Sequence, residues 1–364
     1  MKVCLIEPSK FVSLTNFVST ISMPPIGLAY IAAAIREAGH DVSVVDGPGS
    51  APRSYHMFED KVRIRGLTQD QIIENIPSDT QIIGLGCMFT SHWVYVRELV
   101  SKIRERFPKA HLLMGGEHVT GFPEFSLEQA PLDSVVMGEG EETIIELLEH
   151  VEKNLPLDNV SGLAYKNLKG RIRVNPRRQR IKNIDSIIQP AWDLFDIKKY
   201  NEVNQPHGSS QGKFMPMLAT RGCPFSCTFC TSPNMWTTEW IPRDHKLVVD
   251  EMQEYQKLYD ATDFQFEDLT AIVRKDWIID FCDEIIQRKM EITFQLPSGT
   301  RSEGIDFEVA EKLKKAGCHE FSFAPESGDP RILKEIKKKV SLPSLFDSAR
   351  SAIKAGINVG CFFI

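Results

Sequence analysis

No apolar run in the sequence approaches the roughly 20 residues that a membrane-crossing helix needs. No secretory leader is expected either, because Met1-Lys2 and a short hydrophobic run give way to Glu7-Pro8. A cytoplasmic protein with no membrane span is therefore expected. There is no basic excess: 43 Lys and Arg stand against 49 Asp and Glu, for a net charge of -6. The cationic stretch Arg177-Arg178-Gln179-Arg180 is short, so nucleic acid is not an expected partner. Compositional bias is absent, with 42% hydrophobic and 25% charged residues, which excludes disordered and fibrous classes. The eight cysteines lack the density of a disulfide scaffold and are expected to be reduced, metal-bound or packed as small hydrophobes.

What is present is a long alternation of strand and helix signals. At 364 residues the chain exceeds the usual size of one hydrophobic core, so two domains are expected. In the first half, Val3–Ile6, Asp41–Val45, Gln81–Met88, His111–Met114 and Ser134–Met137 read as strands. Helical patterns at Ile26–Ala38, Trp93–Phe107, Pro123–Gln129 and Thr143–Val151 fall between or after them. This is the pattern of a doubly wound, Rossmann-like (flavodoxin-like) α/β domain over residues 1–151. Such sheets bind ligands outside the carboxyl ends of their strands. The residues there are Glu7-Pro8-Ser9, Phe89-Thr90-Ser91, Gly115-Gly116-Glu117-His118 and Gly138-Glu139-Gly140-Glu141. Glycines recurring at successive strand ends admit close approach of a bulky ligand, although a glycine pair is commonly just a turn.

Residues 152–212 are less regular and read as a linker containing a small hairpin, Leu163–Tyr165 against Ile172–Val174. From 213 to 364 a second βα series begins. Strands are expected at Met217–Thr220, Phe264–Phe266, Ile292–Gln295, Glu320–Phe323 and Asn358–Phe363, with helices near Lys246–Leu258, Trp277–Arg288, Phe307–Ala316 and Leu342–Ala355. A partial (βα) barrel of the TIM type follows, apparently truncated after its fifth strand.

Three of the cysteines are clustered directly after the first strand of that series, in Arg221-Gly222-Cys223-Pro224-Phe225-Ser226-Cys227-Thr228-Phe229-Cys230. Thiolates two and three residues apart let one loop wrap around a cuboidal iron-sulfur cluster. With only three thiolates one iron keeps an open position. A structural zinc site is the competing reading, but zinc prefers four Cys or His ligands, and the nearest further candidate, His245, lies well past the loop. A reduced, unligated set of thiols is the third possibility.

This loop, with Phe229 as the aromatic before the last cysteine, resembles the signature of radical S-adenosylmethionine enzymes. Met23-Pro24-Pro25-Ile26-Gly27-Leu28-Ala29-Tyr30, Gly115-Gly116-Glu117-His118-Val119-Thr120 and Gly138-Glu139-Gly140-Glu141 resemble the cobalamin-binding domain of the cobalamin-dependent members, and Pro190-Ala191-Trp192-Asp193 resembles their linker. The resemblance implies three cofactors: a 4Fe-4S cluster held by Cys223, Cys227 and Cys230, S-adenosyl-L-methionine, and cobalamin. It makes Phe229, Glu267, Asp268, Ser298, Arg301 and Glu326 candidates to touch S-adenosylmethionine. It likewise makes Pro8, Ser9, Thr90, Ser91, Gly115, Gly116, Glu117, His118, Gly138, Glu139 and Gly140 candidates for cobalamin. The D-x-H-x-x-G loop that ligates cobalt in some cobalamin proteins is absent, and the resemblance implies base-off binding without a histidine ligand, leaving the lower cobalt face to another residue or to water.

The activity so implied is generation of a 5'-deoxyadenosyl radical and methyl transfer to an unactivated carbon or phosphorus centre of a small-molecule substrate, with a flavodoxin or ferredoxin as electron donor. A cyclase or rearrangement enzyme of the same superfamily is the alternative. A non-catalytic cobalamin- and cluster-binding module is a third reading from a different class.

Overall fold

The computed structural model describes residues 1–14, 21–60 and 62–364. The chain forms two compact units, Met1–Ile181 with Ile187–Val203, and Lys182–Ser186 with Asn204–Ile364. No helix among the described residues is long and apolar enough to cross a membrane.

The first unit is built on a seven-stranded sheet: β1 (Lys2–Glu7), β2 (Asp41–Asp46), β3 (Ile82–Gly86), β4 (His111–Gly115), β5 (Ser134–Val136), β6 (Leu163–Lys166) and β7 (Ile172–Val174). The spatial order is β2-β1-β3-β4-β5-β6-β7. The first five are parallel, as the intervening helices require. The hairpin expected inside a linker instead extends this sheet, with β6 antiparallel to β5 and β7 antiparallel to β6. Its apolar Leu163, Ala164 and Tyr165 are fully buried, and burying them is what draws the segment onto the sheet edge.

Both faces of the sheet are covered, so β1 is apolar at every central position. Cys4 and Ile6 pack with Leu99, Val100 and Ile103 of the helix Trp93–Arg106. Val3 and Leu5 pack on the other side with Ala32, Ala33 and Ile35 of the helix Ile26–Glu37 and Leu147 of the helix Glu141–Glu152. The strand order reverses between β1 and β3. The loops leaving Glu7 and Gly86 therefore diverge and open a crevice at a topological switch point. A small antiparallel sheet, Lys10–Ser13, Val62–Arg65 and Tyr55–Glu59, is built partly from the chain leaving β1.

The second unit carries β8 (Phe214–Met217), β9 (Asp263–Phe266), β10 (Thr293–Thr300), β11 (Cys318–Glu326) and β12 (Asn358–Phe363), all parallel and in sequence order. The helices His245–Tyr259, Lys275–Gln287, Phe307–Lys315 and Leu342–Lys354 lie between them, the winding of a (βα) barrel wall. Phe266, Phe281 and Phe294 meet edge to face at 5.6–5.8 Å between strands and helix. The alternate positions Asp263, Gln265 and Gln295 are fully buried and bonded to one another, with His319 Nε2 3.1 Å from Asp263.

Candidate cofactor sites

Asp268, directly beyond β9, fixes the chain that feeds the cysteine loop. Its buried carboxylate accepts from the Ala219 N–H at 3.1 Å, from the Thr220 N–H, and from the Thr220 hydroxyl at 2.6 Å. Burial raises its pKa to about 6, against the pull of those donors. This candidate for S-adenosylmethionine contact thus holds the backbone behind the loop. Thr220–Arg221 pairs with Ile241–Pro242, and Gly222 then takes a φ of +91°, which turns the chain into the cysteine segment.

Within the loop the Thr228 N–H donates to Ile336 O at 3.0 Å and the Cys230 N–H to Cys227 O at 3.2 Å. The Ser232 N–H points at the Cys230 sulfur at 3.4 Å. The three thiols form no disulfide; Cys223 and Cys227 are half-buried and Cys230 is exposed. Burial pushes the Cys223 and Cys227 thiols up and the neighbouring sulfurs add to this, while Arg301 acts against it at both and Lys338 at Cys227. Among the described residues no three His, Cys, Asp or Glu side chains converge closely enough to hold one metal ion. The Cys227 and Cys230 sulfurs act on Cys223, and Cys230 on Cys227, so the three thiols belong to one site, and three thiolates on one loop suit a cuboidal cluster with one iron left open.

Around the loop the strand ends supply polar groups. The Arg301 guanidinium lies 3.9 Å from the Phe225 ring centroid and pairs with Glu303 at 2.7 Å. Glu326, at the end of β11, has a φ of +66°, a strained conformation for a non-glycine residue, and pairs with Lys338 at 2.9 Å. Ser298 is half-buried beside Gly299, whose φ is +96°. Glu267 bonds His207 through Oε2 at 3.1 Å, and its Oε1 is buried with no hydrogen-bond partner, as is Thr300 Oγ1. These orphaned oxygens fit a polar ligand such as the amino acid end of S-adenosylmethionine. His207 carries no motif and was not legible in the sequence; the Glu267 carboxylate raises its pKa. Phe229 is exposed on the loop.

In the first unit the structure divides the candidates. Pro8 and Ser9 are buried, with the Ser9 hydroxyl donating to Leu67 O at 2.7 Å beneath the segment that carries Gly47 and Gly66. Glu139 forms a buried ion pair with Arg180 at 2.7 Å and also accepts from the Ile181 N–H, so it anchors the returning chain. Gly138 and Gly140 serve the same turn: the Gly138 N–H donates to Thr120 Oγ1, and a Cβ at Gly140 would meet Ile31 at 2.8 Å. His118 is 2% exposed, bonded to Thr90 Oγ1 at 3.1 Å and packed on Trp93 with centroids 4.6 Å apart.

Gly116 needs its φ of +110° and has Cys87 O where a Cβ would stand, whereas Gly115 has nothing within 4 Å of its own. Glu117, half-buried, begins the short helix after this pair. Thr90 and Ser91 lie exposed at the end of β3, beside exposed Met88 and Phe89, and Phe122 and Phe125 are exposed on the segment that follows β4. An open glycine and a row of exposed apolar side chains along the strand-end edge fit a broad, flat ligand such as a corrin.

Comparison with known proteins finds two families along the chain. The B12 binding domain family matches residues 14–148, and the Radical SAM superfamily matches residues 217–364. The chain is 33% identical over 368 residues to an uncharacterized methyltransferase of Pyrococcus horikoshii, covering 100% of this chain and 74% of that protein. It is 28% identical to the cytidylyl-2-hydroxyethylphosphonate methyltransferase of Streptomyces wedmorensis, covering 93% and 68%. It is 27% identical to the anaerobic magnesium-protoporphyrin IX monomethyl ester cyclase of Synechocystis, covering 87% and 59%. The fold matches the solved structure of the cobalamin-dependent S-adenosylmethionine radical enzyme OxsB, with a TM-score of 0.80 at 20% identity over 100% of this chain and 49% of that one.

A switch-point sheet in one unit and a barrel wall with a three-thiol loop in the other, matched by these two families, make the protein a radical enzyme with a corrin-binding domain. The chain belongs to the cobalamin-binding radical S-adenosylmethionine enzymes. It spans about half the length of the solved relative and about three quarters of the Pyrococcus protein.

Proposed function

We propose that this chain methylates an unactivated carbon or phosphorus centre of a small-molecule substrate, in the cytoplasm, with electrons from a flavodoxin or ferredoxin. When bound, the cofactors supply the hard chemistry, namely reductive cleavage of S-adenosylmethionine to a 5'-deoxyadenosyl radical and carriage of the methyl group by cobalamin. Cys223, Cys227 and Cys230 would hold three irons and leave the fourth accessible. Glu267 Oε1 would receive the ammonium of the methionine moiety, with His207 holding the other oxygen. Arg301, stacked on Phe225, would keep the loop closed over the cluster and oppose the accumulation of negative charge there. The exposed edge bearing Met88, Phe89 and Gly115 would receive the corrin.

The observation that carries this reading is the three-thiol loop, whose Cys223, Cys227 and Cys230 are free of disulfides and have no fourth cysteine beside them in the loop. Incubation of the reduced, corrin-loaded protein with methyl-labelled S-adenosylmethionine tests it. Labelled product together with 5'-deoxyadenosine supports methyl transfer. The likeness to the porphyrin-ester cyclase favours cyclisation as the second reading, which would give 5'-deoxyadenosine and an unlabelled product.

A further inference from the structure

Resting on the proposed S-adenosylmethionine site, we propose that His207 is a positioning residue that aims the Glu267 carboxylate at the amino group of that ligand and sets the charge the carboxylate presents to it. The Glu267 N–H is fixed to Met217 O at 2.9 Å, at the end of β8, and the carboxylate of the next residue, Asp268, is taken by Ala219 and Thr220. His207 Nδ1, 3.1 Å from Oε2, is the only group among the described residues that bonds the Glu267 side chain, and Oε1 is left buried without a partner. The chain carrying His207 is itself tied to the barrel wall. A Cβ on Gly208 would run into the Gln295 amide on β10, and the Ser209 hydroxyl donates to Glu320 Oε2 on β11 at 2.7 Å. Three consecutive residues thus meet side chains of three successive βα units, which holds the imidazole where it stands.

Protonation of the ring changes the charge at this site and leaves the aim alone. A carboxylate only accepts, so Nδ1 carries the hydrogen of this bond whether the imidazole is neutral or cationic, and the second proton comes and goes at Nε2. Nε2 has no hydrogen-bond partner among the described residues and the side chain is 30% exposed, so that proton exchanges with solvent. The hydrogen bond to Glu267 raises the His207 pKa from the ordinary 6.5, with burial acting against it. Below the raised pKa the imidazolium offsets the carboxylate it touches, and a cationic amino group approaching Oε1 meets a neutral pair. Above it the full carboxylate charge is available. The flanking Gln205, Pro206, Gly208 and Ser209 carry no charge. Across from them β10 presents Gln295 and β11 presents Glu320, which Ser209 engages, while Asp263 and His319 pair with each other at 3.1 Å.

The test is equilibrium binding of S-adenosylmethionine to the full chain reconstituted with its cluster and kept oxidised, so that no cleavage occurs. His207→Asn keeps a neutral amide donor near the position of Nδ1 and cannot become charged, whereas His207→Ala removes the donor. The ligand's own amino group titrates alike in every protein, so the ratio of wild-type to His207→Asn dissociation constants isolates the ring. Relative to His207→Asn, wild-type affinity should rise roughly fivefold between about pH 6 and about pH 8.5. His207→Ala should bind roughly fivefold more weakly than His207→Asn at every pH, at equal iron content. A wild-type to His207→Asn ratio that stays flat across the range, or His207→Ala binding as tightly as His207→Asn, would overturn the assignment. A cluster-loaded wild-type chain that binds no S-adenosylmethionine at any pH would instead sink the reading of the site itself.

Discussion

Arg301 and Phe225 form the cation–π contact that ties the end of β10 to the cysteine loop, the guanidinium carbon 3.9 Å from the ring centroid. Such contacts contribute about 1 kcal/mol at partly exposed sites. Arg301→Ala should therefore release iron to a chelator roughly fivefold faster than wild type. Arg301→Lys should fall between, because an ammonium keeps the charge but not the stacked plane. Equal chelation rates in all three would show that the contact does not hold the loop.

Serine at Cys223, Cys227 or Cys230 should reduce iron after anaerobic reconstitution to background. Serine at Cys282 or Cys318 should leave iron content unchanged, since these thiols are buried in the barrel wall. Their cost is in stability, about 1–3 kcal/mol for a hydroxyl placed in an apolar setting, and chemical denaturation reads it. Equal iron loss at all five positions would contradict the cluster assignment.

Adjacent glycines should respond differently. Gly116→Ala puts a Cβ 2.5 Å from Cys87 O at a positive φ and should cost about 3 kcal/mol in unfolding free energy. Gly115→Ala meets nothing within 4 Å, so it should change stability by less than about 1 kcal/mol while weakening corrin retention measured by absorbance. Identical effects at the two positions would remove the glycine pair from the proposed corrin surface.

Tyr200 donates its hydroxyl to both oxygens of buried Asp46, at 2.9 and 2.8 Å. Burial raises Asp46 to about 6, up from the ordinary 3.8, with the hydrogen bonds from Gly49 and Tyr200 acting against the rise. A carboxyl whose folded pKa is raised disfavours folding above that pKa, and the penalty is relieved as pH falls from about 6 toward 3.8. Tyr200→Phe removes a donor to the ionised form and so raises Asp46 further, which makes its cost of about 2 kcal/mol full only above about pH 8 and smaller as pH falls toward 6 and below. Urea denaturation at both pH values checks this; a cost that grows on acidification would refute it.

The alternating β and α elements were legible because both faces of β1 are covered, which makes Val3–Ile6 continuously apolar, and because helices such as Trp93–Arg106 carry a clear apolar face. The Cys223–Cys230 loop was legible because its chemistry is local in sequence. Partners distant in sequence were not. Nothing in Gly138-Glu139-Gly140 foretells Arg180, and nothing after Phe266 foretells that Asp268 would grip Ala219 and Thr220. His92 lies beside the residues singled out at the end of β3, yet its stacking on Phe11 is something only the fold brings about. The small sheet over Lys10–Ser13, Tyr55–Glu59 and Val62–Arg65 passed unnoticed because its strands are short and largely half-exposed.

The chain does not leave its first unit once and for all. Lys182–Ser186 belongs to the second unit, where the Asp244 N–H donates to Asp185 at 2.9 Å, and Ile187–Val203 then returns to the first, where Tyr200 is buried. Cleaving the polypeptide at any single peptide bond therefore liberates neither half whole. Severing it after Ile181 strips the first half of the tyrosine that caps Asp46, while severing it after Val203 leaves the Asp185 tether on the wrong fragment.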